Sequence, residues 1–163
     1  MRIEDKIQRA ETNLQRKLDW IGRHDGRTTF VTGIIIAMLG VLTSASSKIE
    51  TWTWFTCISF CVTAIMLFIS LFYIYRSQYP KTKSHNTSLI YFGTVAEMKY
   101  DEFKRQTLSA TDQVYLEDVL CQIHINAQIL QSKFSALKTS LILLAIAIIP
   151  WLISIYLSHE FIK

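Results

Sequence analysis

The chain has 163 residues, half of them hydrophobic, and its mean hydropathy is +0.25, too apolar for an ordinary soluble domain of this length. Net charge is +4, and seven of the 17 basic residues (Arg2, Lys6, Arg9, Arg16, Lys17, Arg23 and Arg27) precede the first apolar run. That placement sets membrane topology and argues against a nucleic-acid-binding face, while three cysteines without a CxxC pair argue against a disulfide framework or a metal centre.

From the N-terminus, Ile3, Ile7, Ala10, Leu14, Leu18 and Ile21 recur at steps of about four and three, the seam of a helix that packs on a partner. The stretch "WIGRHDGRTTF" follows, with Asp25 between Arg23 and Arg27 at the mouth of the first apolar run. Charges at that level snorkel to the interface. An aspartate there can also pair with a basic residue in one state and release it in another, so Arg23, Asp25 and Arg27 form a candidate membrane-boundary switch.

Three segments, residues 28–46, 53–75 and 141–157, approach the roughly 20 apolar residues needed to cross about 30 Å of hydrocarbon. The second is flanked by Trp52 and Trp54 at one end and Tyr73 and Tyr75 at the other, as expected at two lipid interfaces. The third contains Pro150, which removes one ladder hydrogen bond and is expected to kink the helix without preventing insertion. Gly33, Ala37 and Gly40 give the first span a close-packing face; three spans cannot enclose a conducting path alone, so a homo-oligomer is expected.

The turn between the first two spans holds only Lys48 beside Glu50, against the basic N-terminal segment, which predicts a cytoplasmic N-terminus. Residues 76–137 then lie in the cytoplasm, and "SHEFIK" faces outside. The partition is a cytoplasmic amphipathic helix (1–27), a transmembrane hairpin (28–75), a cytoplasmic helical sensing region (76–137), a third span (138–158) and a short tail (159–163). The fold class is an all-α membrane protein: three transmembrane helices and a small cytoplasmic helical bundle continuous with the last span.

Within 76–137, residues 93–107 read as a short helix, and Ser109 or Thr111 is positioned to cap the next. Leu116, Leu120, Ile123, Ala127, Leu130, Phe134, Leu137 and Leu141 keep a heptad that runs into the third span without glycine or proline. Gln122, Asn126 and Lys133 sit on its edge. The loop "SQYPKTKSHNTSLIYFG" adds lysines, His85 and Asn86, then Tyr91 and Phe92: stacking surfaces and cations suited to a planar base carrying a phosphate. No nucleophile with its base and no carboxylate pair is recognisable, so an enzyme is not expected.

Three stretches, "LDWIGRHDGRTTF", "NTSLIYFGTVAEMKYDEF" and "LEDVLCQIHINAQILQSKFSALKTSL", together resemble the Pycsar transmembrane effectors, small bacterial antiphage proteins, in order and around the same spans. The resemblance implies a bacterial inner-membrane receptor for a cyclic pyrimidine mononucleotide, cCMP or cUMP, made by a partner cyclase. Binding would impair the inner membrane and abort infection. It also implies that Asn86, Tyr91 and Phe92 shape or brace the ligand-binding region while Asn126 and Lys133 face it. The implied partners are the lipid bilayer and the nucleotide, with no further cofactor. The alternative is a constitutive oligomeric membrane scaffold or channel subunit with no nucleotide ligand.

Overall fold

The computed structural model describes residues 1–79 and 88–160, and all regular structure among them is helical. In chain order the elements are α1 (Ile3–Ser46), α2 (Trp54–Gln78), α3 (Phe92–Glu97), α4 (Tyr100–Ser109) and α5 (Asp112–Glu160). At 1.5 Å per residue, the 44 residues of α1 and 49 of α5 extend about 66 and 74 Å, twice the thickness of a hydrocarbon core. Only part of each can lie in lipid.

The division drawn at residue 27 is therefore not a helix boundary. Gly22 and Gly26 lie inside α1, each costing up to about 1 kcal/mol relative to alanine in a helix interior. Where the chain turns apolar, three threonines close their hydroxyls onto their own helix: Thr28 donates to the carbonyl of His24 (2.8 Å), Thr29 to that of Asp25 (3.0 Å) and Thr32 to that of Thr28 (2.8 Å). At these three positions the hydroxyl donor does not face hydrocarbon unpaired.

The chain divides into two compact units: Met1–Arg23 with Pro80–Ser132, and His24–Tyr79 with Lys133–Lys163. The core of the first is small. Ala10, Leu116 and Val119 are buried, with Ile3, Ile7, Leu14, Ile90, Tyr115 and Ile123 packed around them, so the four-and-three repeat at the start of α1 does find a partner in α5. The single helix expected over 93–107 is two helices. Met98 (ψ 145°) and Lys99 (ψ 144°) are extended, and α4 restarts with Asp101 and Glu102 in its first turn, where carboxylates complement the helix N-terminus. Thr111 is the residue that caps α5, its Oγ1 accepting from the N–H of Val114 at 3.4 Å, whereas Ser109 ends α4.

The second unit contains three apolar helical stretches, each able by length and composition to cross a membrane. Its interior is not its most apolar face. Of the eight buried residues of α2, five carry hydroxyls: Thr56, Ser59, Thr63, Ser70 and Ser77, with Phe60, Leu67 and Ile74. Across from them, α5 buries Lys133, Leu137, Ser140, Leu144, Ala147 and Ser154. Ser70 Oγ donates to the carbonyl of Ser140 (3.0 Å) and lies 2.8 Å from its Oγ; Ser59 and Ser154 hydroxyls are 2.8 Å apart; Ser77 donates to the carbonyl of Lys133 (3.2 Å). Short hydroxyl side chains let two backbones approach closely and bond across the gap.

The α5 heptad expected from leucine spacing is kept in part: Leu116 and Leu137 are buried, and Ile123, Ala127, Leu130 and Phe134 are half-buried. Leu120 and Leu141 are 51% and 44% exposed, while Val119, Gln122, Lys133 and Ser140 are buried. For Leu141, in the apolar stretch, lipid is as good a surrounding as protein, so close contact and hydrogen bonding select the face there. The α5 helix runs through Pro150, whose carbonyl accepts hydroxyls from Ser154 (2.8 Å) and Ser59 (3.2 Å). Trp151 adds a bond from its Nε1 to the carbonyl of Met38 on α1 (3.1 Å).

If close approach at this seam matters more than its hydrogen bonds, Ser70→Ala costs only about 0.6 kcal/mol, whereas Ser70→Leu at a site with no free surface costs about 1–3 kcal/mol. Thermal denaturation of the detergent-solubilised variants distinguishes the two; equal losses would assign the seam to hydrogen bonding.

Candidate functional site

In the first unit the segment after residue 87 is fixed to α5 by two side chains one turn apart. Asp118 Oδ2 accepts the N–H of Leu89 (2.8 Å), and Gln122 Nε2 donates to Ser88 Oγ (3.1 Å). Ser88 is 2% exposed, and its oxygen also accepts the N–H of Tyr91 (3.0 Å), closing a hydroxyl-stabilised turn just before α3. Gln122, expected at the edge of the helix, is thus a buried anchor of this turn.

The turn presents two rings. Tyr91 and Phe92 lie 4.7 Å apart at 48°; Tyr91 is half-buried, but Phe92 is 72% exposed. A Cβ at Gly93 would fall 2.5 Å from the Tyr91 ring, so a side chain there would push that ring aside. Asn126 is half-buried and donates from Nδ2 to the Gln122 carbonyl of its own helix (2.8 Å). A cavity of about 290 Å³ lies nearby in the chain, lined by Ser88, Leu89, Val114, Tyr115, Glu117, Asp118 and Cys121. Two carboxylates in its wall make it a poor receptacle for phosphate, and Tyr91, Phe92 and Asn126 are not among its lining residues. Asn86 lies outside the described residues.

The same unit is closed by a bond between its two long helices, from the hydroxyl of Tyr115 to Glu11 Oε1 at 2.8 Å. That bond, with partial burial and the negative charges of Glu11 and Asp118, raises the Tyr115 pKa above its ordinary 10.0. The neutral phenol is the form the fold favours, so the link acts in full below pH 10.0 and fades as pH rises through the higher folded value.

The second unit holds a different cluster, where α1 becomes apolar. Lys133 Nζ donates to Asp25 Oδ1 at 2.6 Å; the lysine side chain is 10% exposed and the aspartate 43%. His24, 1% exposed, adjoins them: its Nδ1 is 3.3 Å from Thr28 Oγ1 and 3.4 Å from Asp25 Oδ1, and its ring meets Phe134 edge-on at 5.0 Å. Because the Thr28 proton is engaged by the His24 carbonyl, the network assigns the ring proton to Nδ1, and the buried Nε2 has no partner among the described residues.

Of the residues expected at the boundary switch, Asp25 is engaged, but not by its sequence neighbours. Positions two apart on a helix point to different faces, and neither Arg23 nor Arg27 forms an ion pair within 4.0 Å among the described residues. Arg23 instead lies 6.0 Å from the Trp20 ring centroid. Lys133, expected to face a ligand, is the partner of Asp25. His24 was not among the expected site residues. Its signal was present: stepping back from Ile35 and Val31 by the same four-and-three spacing leads to Thr28 and His24.

The family model described as Pycsar effector protein domain matches residues 9–158, spanning both units. No curated protein and no solved structure matches the chain significantly.

Two measurements test these contacts. Tyr115→Phe should lower stability by about 0.5–1 kcal/mol at neutral pH, the low end for a solvent-accessible bond, with the difference from the parent vanishing in strongly alkaline buffer. Asp25→Ala strands a buried ammonium and should cost about 3–5 kcal/mol, whereas Lys133→Met leaves a half-exposed carboxylate and should cost about 1–2 kcal/mol. Unfolding in detergent that ranks the two in reverse would place the buried charge on the wrong residue.

Proposed function

The chain belongs to the Pycsar effector family and is a membrane effector of antiphage defence, and on that premise we propose that it is gated by a cyclic pyrimidine mononucleotide, cCMP or cUMP, and acts by impairing the bacterial inner membrane. The observation that carries the ligand half is Phe92, an aromatic ring 72% exposed on a turn anchored by Ser88, Gln122 and Asp118. A rigidly held exposed ring is a stacking surface for a base, and stacking is worth about 1–3 kcal/mol per base. Tyr91 braces the ring from behind, and Asn126 offers an amide on the neighbouring helix.

The membrane half rests on the second unit, with three helices long and apolar enough to cross a bilayer. Basic residues Arg27 and Lys138 border one groove of it, consistent with that end, and with it the N-terminus, facing the cytoplasm. Lys133–Asp25 is the resting contact of the switch. Its release is the step that ligand binding favours, reached through α1 and α5, which run without interruption from one unit into the other. Gly33, Ala37 and Gly40 are exposed on α1, with nothing within 4 Å of where a Cβ would stand on either glycine, which leaves room for the close contacts of a homo-oligomer.

Titration of the detergent-solubilised full chain with cCMP and cUMP, joined to dye release from proteoliposomes, tests the reading. One nucleotide should bind and trigger release, and Phe92→Ala should weaken binding about tenfold. Affinity unchanged in Tyr91→Ala, Phe92→Ala and Asn126→Ala would remove the site. Release indifferent to either nucleotide would favour a constitutive scaffold or channel subunit instead.

A further inference from the structure

An apolar groove of the second unit lies between α1 and α5, has a volume of about 840 Å³ and is walled by Phe30, Phe134, Leu141 and Ala145, with Arg27 and Lys138 on its rim. Its volume falls within the roughly 300–1,000 Å³ of small-molecule sites. Both rim cations are exposed and form no ion pair within 4.0 Å among the described residues. Gly26 also lines the groove, with no atom within 4 Å of where its Cβ would stand. Two unpartnered cations above a greasy channel match one kind of occupant in both parts.

We infer that this groove is a binding site for an anionic phospholipid, its phosphate between Arg27 and Lys138 and an acyl chain along Phe30, Leu141 and Ala145. Basic pockets between transmembrane helices recognise lipid headgroups in this way. Charge complementarity selects lipid over a second copy of the chain. Across residues 24–79 and 133–160 the acids are Asp25, Glu50 and Glu160, and Asp25 already holds Lys133, so an identical membrane unit brings no free carboxylate to this level. Zwitterionic lipid fills the groove but leaves the rim charge uncompensated. The site is separate from the nucleotide-binding reading, since none of its residues belongs to the turn that carries Phe92.

The test is lipid retention by the purified full-length protein, read by native mass spectrometry and by thermal shift after adding dioleoyl phosphatidylglycerol or dioleoyl phosphatidylcholine. Phosphatidylglycerol should be retained and stabilising, phosphatidylcholine much less so. Arg27→Gln and Lys138→Gln should each weaken retention about fivefold and the pair about 25-fold, from the contribution of one interfacial cation. Ala145→Trp, which fills the lower channel and leaves every charge in place, should also expel the lipid, whereas Arg76→Gln, an exposed cation outside the groove, should not. Equal retention of the two lipids, or equal loss on Arg76→Gln and on the double substitution, would overturn the site. So would efficient cross-linking between copies through Ile142→Cys, which would make a second chain the occupant.

Discussion

In hydrocarbon a polar group has no water to fall back on, and a leucine gains nothing by leaving lipid for protein. These two facts together arrange the second unit. The helices α2 and α5 meet along serines and threonines whose hydroxyls bond across the interface or to their own backbone, while Phe68, Phe72, Ile142 and Ile149 are left on the outer surface. The seam is held by proximity: small side chains admit close backbones, and the hydroxyls have no better partner than the neighbouring helix.

The same constraint makes Lys133 the most demanding residue of the chain. An ammonium 10% exposed needs an opposite charge, and Asp25 on α1 is the carboxylate in reach, at 2.6 Å. Around that pair are the buried His24, Thr28 and the Phe134 ring, a polar cluster bounded by apolar packing at Val31, Ile35 and Leu137. A contact of this kind is well suited to two discrete arrangements, since a buried charge pair is either made or its members must move toward water. The aspartate, already 43% exposed, is the member nearer to that alternative.

The first unit is built on other terms. Among the described residues its buried apolar core is three residues with a ring of half-buried neighbours, and α3 and α4 bury no side chain completely. Order at the Tyr91–Phe92 turn therefore comes from directed bonds, those of Ser88, Asp118 and Gln122, more than from packing. A loop held by hydrogen bonds can present an apolar ring to solvent without collapsing onto it, which a loop held only by hydrophobic burial would not do.

Much of this was legible from residue order alone. Three long apolar stretches, able by length and composition to cross a membrane, were expected to be helical because a backbone in lipid must satisfy itself, and uninterrupted helical sequence from Leu116 to Leu141 already joined the third stretch to the region before it. The four-and-three repeat of Ile3, Ile7, Ala10 and Leu14 likewise identified its own buried face. What the sequence could not decide was which face of a spanning helix turns inward. Hydrophobic periodicity measures escape from water, and within the bilayer that force is absent; in the apolar part of α5 the expected seam keeps Leu137 but leaves Leu141 on the outer surface, and the structure buries Lys133, Ser140 and Leu144 beside it. The pairing of Asp25 with a lysine 108 positions away, and not with the arginines beside it, is a tertiary decision for the same reason. Helix geometry separates near neighbours onto different faces, and only the packing of α1 on α5 brings the two charges together.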